Sequence, residues 1–334
     1  MDARKIISFG KNSSIVSLPK QWLIKHKLKK GDILNVYESK DGLMLRASNS
    51  AIKDEPKTAC ISADHKSLFR LKTEIVSAYL DNFNIIEVYS PELKKAAVEI
   101  KKIIHDLSGM EIINQTSTRI AAKDLMNISE ISVETLIRRM DNIARSMMKD
   151  CLDCFKGNDQ SDSLSQMDEE INRLCYLANR VIRGGLKDVR VANSLGVDNL
   201  KLHTDHTVTI KVESIADNVK RISRALKESK LNETWRVRLR EIFLDIEKGY
   251  LDVMKAYYTN DQSIALQIEE QNSKRLLSCD KFFGGHSHKE LKIELKQGIC
   301  EYRNACGATT RIIEDMKTMC SGIKHIARTI IGGG

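Results

Sequence analysis

The three prolines of this 334-residue chain are Pro19, Pro56 and Pro91, so the whole stretch from Glu92 to Gly334 is free of proline. Proline fixes φ, lacks a backbone donor and breaks helix interiors. A proline-free stretch of this length admits long, uninterrupted helices. The apolar spacing agrees, because Val133, Leu136/Ile137, Met140, Ala144, Met147, Cys151 and Cys154 stand alternately three and four apart, the period of one helical face. Val208, Val212, Ile215, Val219, Ile222 and Leu226 form a second such seam. Further helices are expected at about 162–183, 204–228, 233–258, 263–283 and 288–329. Single helices of this kind are unstable in water, so they should pack as bundles.

An internal repeat organises this half. Asn158-Asp159-Gln160-Ser161 recurs as Asn260-Asp261-Gln262-Ser263, and the same offset pairs Arg173-Leu174 with Arg275-Leu276. Upstream it pairs Ile137, Met140, Ala144, Met148, Leu152 and Phe155 with Leu239, Ile242, Ile246, Tyr250, Met254 and Tyr257. Matching apolar registers on that scale predict two three-helix units.

The N-terminal segment differs in kind. Residues 1–50 hold ten Lys/Arg against four Asp/Glu, whereas the rest of the chain is nearly neutral. Concentrated positive charge points to a polyanionic partner. Short strands are expected at Lys5–Phe9, Ser14–Leu18, Ile33–Glu38 and Leu43–Arg46, with a helix at Lys20–His26 opened by Pro19 and a hairpin turn at Asp41-Gly42. So small a module cannot bury much core alone and is expected to dimerise. Gly10…Ile15-Val16-Ser17-Leu18-Pro19-Lys20, then Lys30-Gly31-Asp32 and Asp41-Gly42-Leu43-Met44-Leu45, resemble the AbrB-type swapped-hairpin domain. The resemblance implies two chains exchanging hairpins into one small barrel, with surface loops contacting DNA. By position, Arg4, Lys5, Lys11 and Lys20, with Asn12 as a polar neighbour, are the candidate DNA-binding residues.

The expected organisation is a multidomain α+β chain: a small N-terminal swapped-hairpin β-barrel dimer module (1–48), a polar linker broken by Pro56 (49–63), a short α/β connecting region (64–127), and an all-α duplicated three-helix bundle (128–230 and 231–330). In the connecting region a helix Leu68–Leu80, a strand Asn84–Tyr89, a helix Glu92–Leu107 and strands near Met110–Thr116 and Arg119–Ala122 are expected. No chemistry is evident there, and packing or dimerisation is its expected role.

The duplicated bundle, with Met167-Asp168-Glu169-Glu170-Ile171-Asn172-Arg173-Leu174 and Glu213-Ser214-Ile215-Ala216-Asp217-Asn218-Val219, resembles the PhoU family of phosphate-uptake regulators. The second motif is similar to that family's Glu-Arg-Ile-Gly/Ala-Asp-His-Ala signature, with Ser214 and Asn218 in place of Arg and His. Fusion of the two modules looks like the archaeal-type arrangement, which implies a phosphate-responsive regulator. Glu213 and Asp217, four apart, share one helical face; with the resemblance they become candidate ligands of a divalent or ferric ion, joined by Asp168. In the second repeat the signature aligns either as Thr310…Glu314 or as Glu314…Thr318, and neither keeps the carboxylate pair, so one metal site is expected rather than two.

His203-Thr204-Asp205-His206 falls at the expected start of a helix and reads as a polar helix opening. Cys151-Leu152-Asp153-Cys154 has zinc or redox spacing but lacks a second ligand pair or a strand-to-helix context, so buried small residues are the expectation. His286-Ser287-His288 reads as a helix cap. The eight cysteines mostly fall in helix interiors, which fits reduced thiols in a cytoplasm, and no run approaches the roughly 20 apolar residues of a membrane span. No nucleophile with a base, phosphate-cradling loop or complete metal motif appears, so an enzyme is not expected. The expected function is a DNA-binding transcriptional regulator of phosphate uptake. The alternative is an adaptor that binds a phosphate transporter ATPase or a signalling kinase, its N-terminal module acting only as a homodimer contact.

Overall fold

The computed structural model describes residues 3–11, 13–39, 42–47, 56–229, 231, 233–284 and 299–332. The chain divides into two units, Met1–Lys57 and Thr58–Gly334. In the first, strands β1 (Ile7–Phe9) and β2 (Ser13–Ile15) pair antiparallel. Helix α1 (Lys20–Lys25) follows Pro19, and β3 (Leu34–Ser39) pairs antiparallel with β4 (Gly42–Ala47). The turn out of β1 uses Gly10 at φ 70°, a conformation open to glycine at little cost.

The second unit opens with a four-stranded sheet. Strand β5 (Thr58–Ser62) lies inside the stretch expected to be linker. It pairs parallel with β6 (Ile85–Tyr89), setting Ala59 and Ile61 beside Ile86 and Val88. Its partner lies a whole helix further along the chain, beyond the reach of local sequence signals. Helix α2 (Leu68–Leu80), capped by Ser67 accepting from the Arg70 amide, and α3 (Ala97–His105), preceded by a 3₁₀ turn at Leu93–Lys95, complete the layer. With β7 (Met110–Gln115) and β8 (Arg119–Asp124) the sheet order is β5-β6-β8-β7. Leu71, Ile75, Ile86, Val88, Ile100, Ile104 and Ile120 form its core.

Helices α4 (Val133–Cys154), α5 (Ser161–Lys187), α6 (Val189–Leu195), α7 (Asn199–Glu228), α8 (Glu233–Thr259), α9 (Gln262–Gly284) and α10 (Ile299–Gly332) follow. Ser132 and Asp198 cap α4 and α7 by accepting from backbone amides three residues on, which satisfies donors a helix start leaves open. The apolar seams read from the sequence all face one continuous core. Helix α7 packs on α4, α5 and α10, and α10 on α7, α8 and α9, so the two repeats meet along α7 and α10.

Several boundaries differ from expectation: β1 and β2 are shorter than Lys5–Phe9 and Ser14–Leu18, α3 is shorter than Glu92–Leu107, and α5 runs on past 183 to Lys187. Helix α7 begins at Asn199 rather than 204, and α6 occupies a stretch not predicted as helix, because the Asp188 and Asp198 caps start helices where the apolar period is weak. His286-Ser287-His288 lies outside the described residues.

The α/β layer is fastened to the first repeat by Arg180 of α5, which is 1% exposed. Its Nη2 donates to Asp124 Oδ2 at 2.5 Å, its Nε donates to Asn82 Oδ1 at 3.2 Å, and its guanidinium lies 4.4 Å from the Tyr79 ring centre. At Gly184, on the next turn of α5, a Cβ would lie 2.6 Å from Ile128 Cδ1, so a larger residue there would force the end of the Ile128 side chain to move.

Candidate functional site

The N-terminal module has an unusual distribution of apolar surface. Among its described side chains none is buried, and Ile6, Phe9 and Leu43 are 73%, 64% and 70% exposed. Trp22 packs on the His26 ring at 4.8 Å and a few side chains are half-buried, yet the apolar residues enclose no buried core among the described residues. The cations are equally open. Lys5 enters β1, Lys11 follows Gly10 at the tip of the β1–β2 hairpin, and Lys20 begins α1; all three are exposed and have no ion-pair partner among the described residues. Arg4 reaches back to Ser17 Oγ at 3.5 Å, which draws the root of the hairpin toward the segment leading to Lys20. Lys11 stands at the opposite end, in the turn after Gly10. Asn12 lies outside the described residues.

In the bundle, Asp168 on α5 and Asp217 on α7 are brought together, with Lys220 between them. Lys220 Nζ stands 2.6 Å from Asp168 Oδ2 and 2.7 Å from Asp217 Oδ1. Arg221 takes the other oxygen of Asp217 at 2.6 Å, and Asn172 donates to Asp168 at 3.1 Å. Burial opposes the charge on Lys220, but the hydrogen bonds to both aspartates outweigh it and hold its pKa above the usual lysine range. Glu213, one turn before Asp217, makes no ion pair among the described residues. Burial, then the charges of Asp217 and Asp168, push its carboxyl up. Asp315 of α10 faces the same region, and burial raises it to about 6 against the attraction of Arg221.

These residues do not fit a metal set. A metal ion takes unprotonated, open oxygens at roughly 2.0–2.6 Å, while both oxygens of Asp217 and one of Asp168 are engaged by protein cations. Among the described residues no group of three or more His, Cys, Asp or Glu is arranged to hold a metal ion. His206 lies in the third turn of α7 rather than at its start, half-buried, and burial followed by His203 and Arg183 lowers its pKa. Cys151 and Cys154 are buried on the α4 seam, and burial raises both thiols.

Sequence reasoning missed a polar network where the two repeats join. The Tyr257 hydroxyl donates to Asp205 Oδ1 at 2.7 Å, and Lys201 Nζ lies 2.6 Å from the same oxygen. Alongside, Tyr258 donates to Asp141 Oδ2 at 3.0 Å and Arg145 Nε to Asp141 Oδ1 at 2.9 Å. Asp205 and Asp141 are 1% and 2% exposed. The available signal was position: each aspartate falls on the apolar stripe of its own helix, where a carboxylate requires a buried partner.

Comparison with known proteins agrees with this architecture. Residues 7–53 match the family described as "Antidote-toxin recognition MazE, bacterial antitoxin", and residues 137–226 match the PhoU domain. Among solved structures, the crystal structure of PhoU from Pseudomonas aeruginosa matches with a TM-score of 0.50 at 15% identity, over 60% of this chain and 94% of that one. No curated protein matches the sequence. By fold this is a chain that joins a small strand-hairpin module to a bundle of long helices. More particularly, it carries a MazE/AbrB-type N-terminal domain and a PhoU-like helical domain. Among the described residues no helix is long and apolar enough to cross a membrane.

Proposed function

We propose that the chain is a homodimeric, DNA-binding transcriptional regulator of phosphate uptake and homeostasis, its PhoU-like domain sensing or relaying the signal. The observation that carries this is the state of the N-terminal module: apolar side chains without a buried core, and Lys5, Lys11 and Lys20 exposed with no ion-pair partner among the described residues. A module of this size needs a second copy to bury its apolar surface, and that pairing doubles the number of exposed cations on one small body. Cations on turns and helix starts meet successive phosphates, giving affinity and position along a duplex rather than sequence choice.

The test is binding of the full chain to DNA fragments from upstream of phosphate-transport genes, followed by fluorescence anisotropy across a salt series. Binding is expected to weaken steeply with salt, and Lys11→Glu with Lys20→Glu to weaken it roughly tenfold or more. If that double variant binds as tightly as wild type, the residue assignment is wrong. If wild type shows no salt-dependent binding, the regulator reading fails and an adaptor for a transporter ATPase or kinase takes its place.

A further inference from the structure

We infer that Lys220 is the built-in cation of the first repeat's carboxylate cluster, its ammonium standing where a metal ion would have to sit, so that these carboxylates take up no metal ion. Lys220 is three residues from Asp217 on α7 and reaches across to Asp168 on α5, a residue 52 positions earlier in the chain. Its side chain is 14% exposed, and the adjoining Val219 and Ile222 are fully buried. The register of α7 therefore aims the ammonium into the α5–α7 seam rather than toward solvent.

The two aspartates of the cluster are already paired without an outside ion. Asp168 and Asp217 are met by two cations, Lys220 and Arg221, within hydrogen-bonding distance, and Glu213, one turn away, is left as a single unpaired carboxyl among the described residues. An incoming divalent ion would have to displace an ammonium already held by two carboxylates and would meet its repulsion at close range, where unit charges interact strongly in a partly buried setting. The same ammonium ties the second helix of the repeat to the third, a role metal ligation would otherwise serve.

The full-length protein tests this by elemental analysis as purified and by calorimetric titration with Mn²⁺ and Zn²⁺. Wild type is expected to show no ion uptake that Asp217→Asn reduces. Lys220→Met, which keeps the length of the side chain and removes its charge, is expected to bind Mn²⁺ at least about tenfold more tightly than wild type, and adding Asp217→Asn should abolish that gain. Lys220→Arg, still cationic, should gain nothing. Lys220→Gln replaces the Met variant if circular dichroism shows that one unfolded. Wild-type protein holding manganese, zinc or iron that Asp217→Asn releases would overturn the inference, and so would neutral variants that bind Mn²⁺ no better than wild type.

Discussion

Each half of the duplicated bundle buries an arginine in its second helix, and the two are satisfied in different ways. Arg180 of the first repeat is held by the carboxylate of Asp124, which is itself 5% exposed, and by Asn82. Arg275 of the second is 3% exposed and draws mainly on neutral acceptors, its Nε donating to the Asp245 carbonyl at 3.1 Å and its Nη2 to Gln271 at 3.1 Å, with the half-exposed Asp245 carboxylate 3.5 Å from Nε. It fits because position 249 is glycine, where a Cβ would lie 2.8 Å from the Arg275 Cζ. The first repeat has thus put a buried charge to use as the fastening for the α/β layer, while the second keeps its arginine inside its own three helices. Duplication preserved the apolar register and left the polar chemistry free to diverge.

The sharpest way to break this contrast is to remove each charge. Arg180→Met should destabilise the protein by about 3–5 kcal/mol, since it strands Asp124 as a buried, uncompensated carboxylate. Arg275→Met should cost only about 1–2 kcal/mol, because it loses two neutral hydrogen bonds and a long pairing with an Asp245 side chain that is 52% exposed and can be solvated instead. Denaturant unfolding midpoints with matched slopes measure both. Equal losses would show that the two arginines are equivalent after all.

That divergence also marks where the sequence could be read and where it could not. Helix α2 was expected at Leu68–Leu80 and occupies those residues. The paired positions Ile137/Leu239, Ala144/Ile246 and Met148/Tyr250 are all buried in both repeats, because apolar period is a local property of the chain. The ungapped repeat fails one helix later: Arg173 is exposed whereas its matched Arg275 is buried. Polar identity alone does not report which side of a helix faces the core. For the same reason Glu213, Asp217 and Asp168 could be found as carboxylates sharing faces, but not Lys220 as their counter-ion. Its reach to Asp168 is a tertiary contact with no sequence period. Strand β5 escaped notice for the related reason that its pairing is parallel and distant.

A second prediction sharpens the contrast at a neutral group. Asn272 of α9 is fully buried, and neither its Oδ1 nor its Nδ2 has a partner among the described residues. A buried amide without hydrogen bonds costs roughly 1–3 kcal/mol in proteins. Asn272→Leu, close in volume, should therefore stabilise the fold by about 1–2 kcal/mol, read as a raised unfolding midpoint. Asp168→Leu in the first repeat should do the reverse, because it leaves Lys220 with one partner fewer in a half-buried seam. A destabilised Asn272→Leu protein would mean that the second repeat's polar core is as specific as the first's.

The smallest effect concerns Asp315, a carboxylate of the second repeat that faces Arg221 and Asp217 of the first. An unfolded chain ionises this group near its ordinary 3.8, while burial in the folded protein holds it up to about 6. Between those values the folded state carries the extra proton, so this group's contribution to stability falls as pH rises from about 4 to about 6 and stays low above that. The side chain is only half-buried, so solvent screening limits the effect to about 1 kcal/mol or less. Asp315→Asn removes the ionisation, and the variant should gain on wild type between pH 4 and pH 7 by that amount in parallel unfolding titrations. A gain that instead appears at pH 4 and vanishes by pH 7 would mean that Arg221 and Arg311 dominate the site, and that the charges of the two repeats attract where burial now sets them apart.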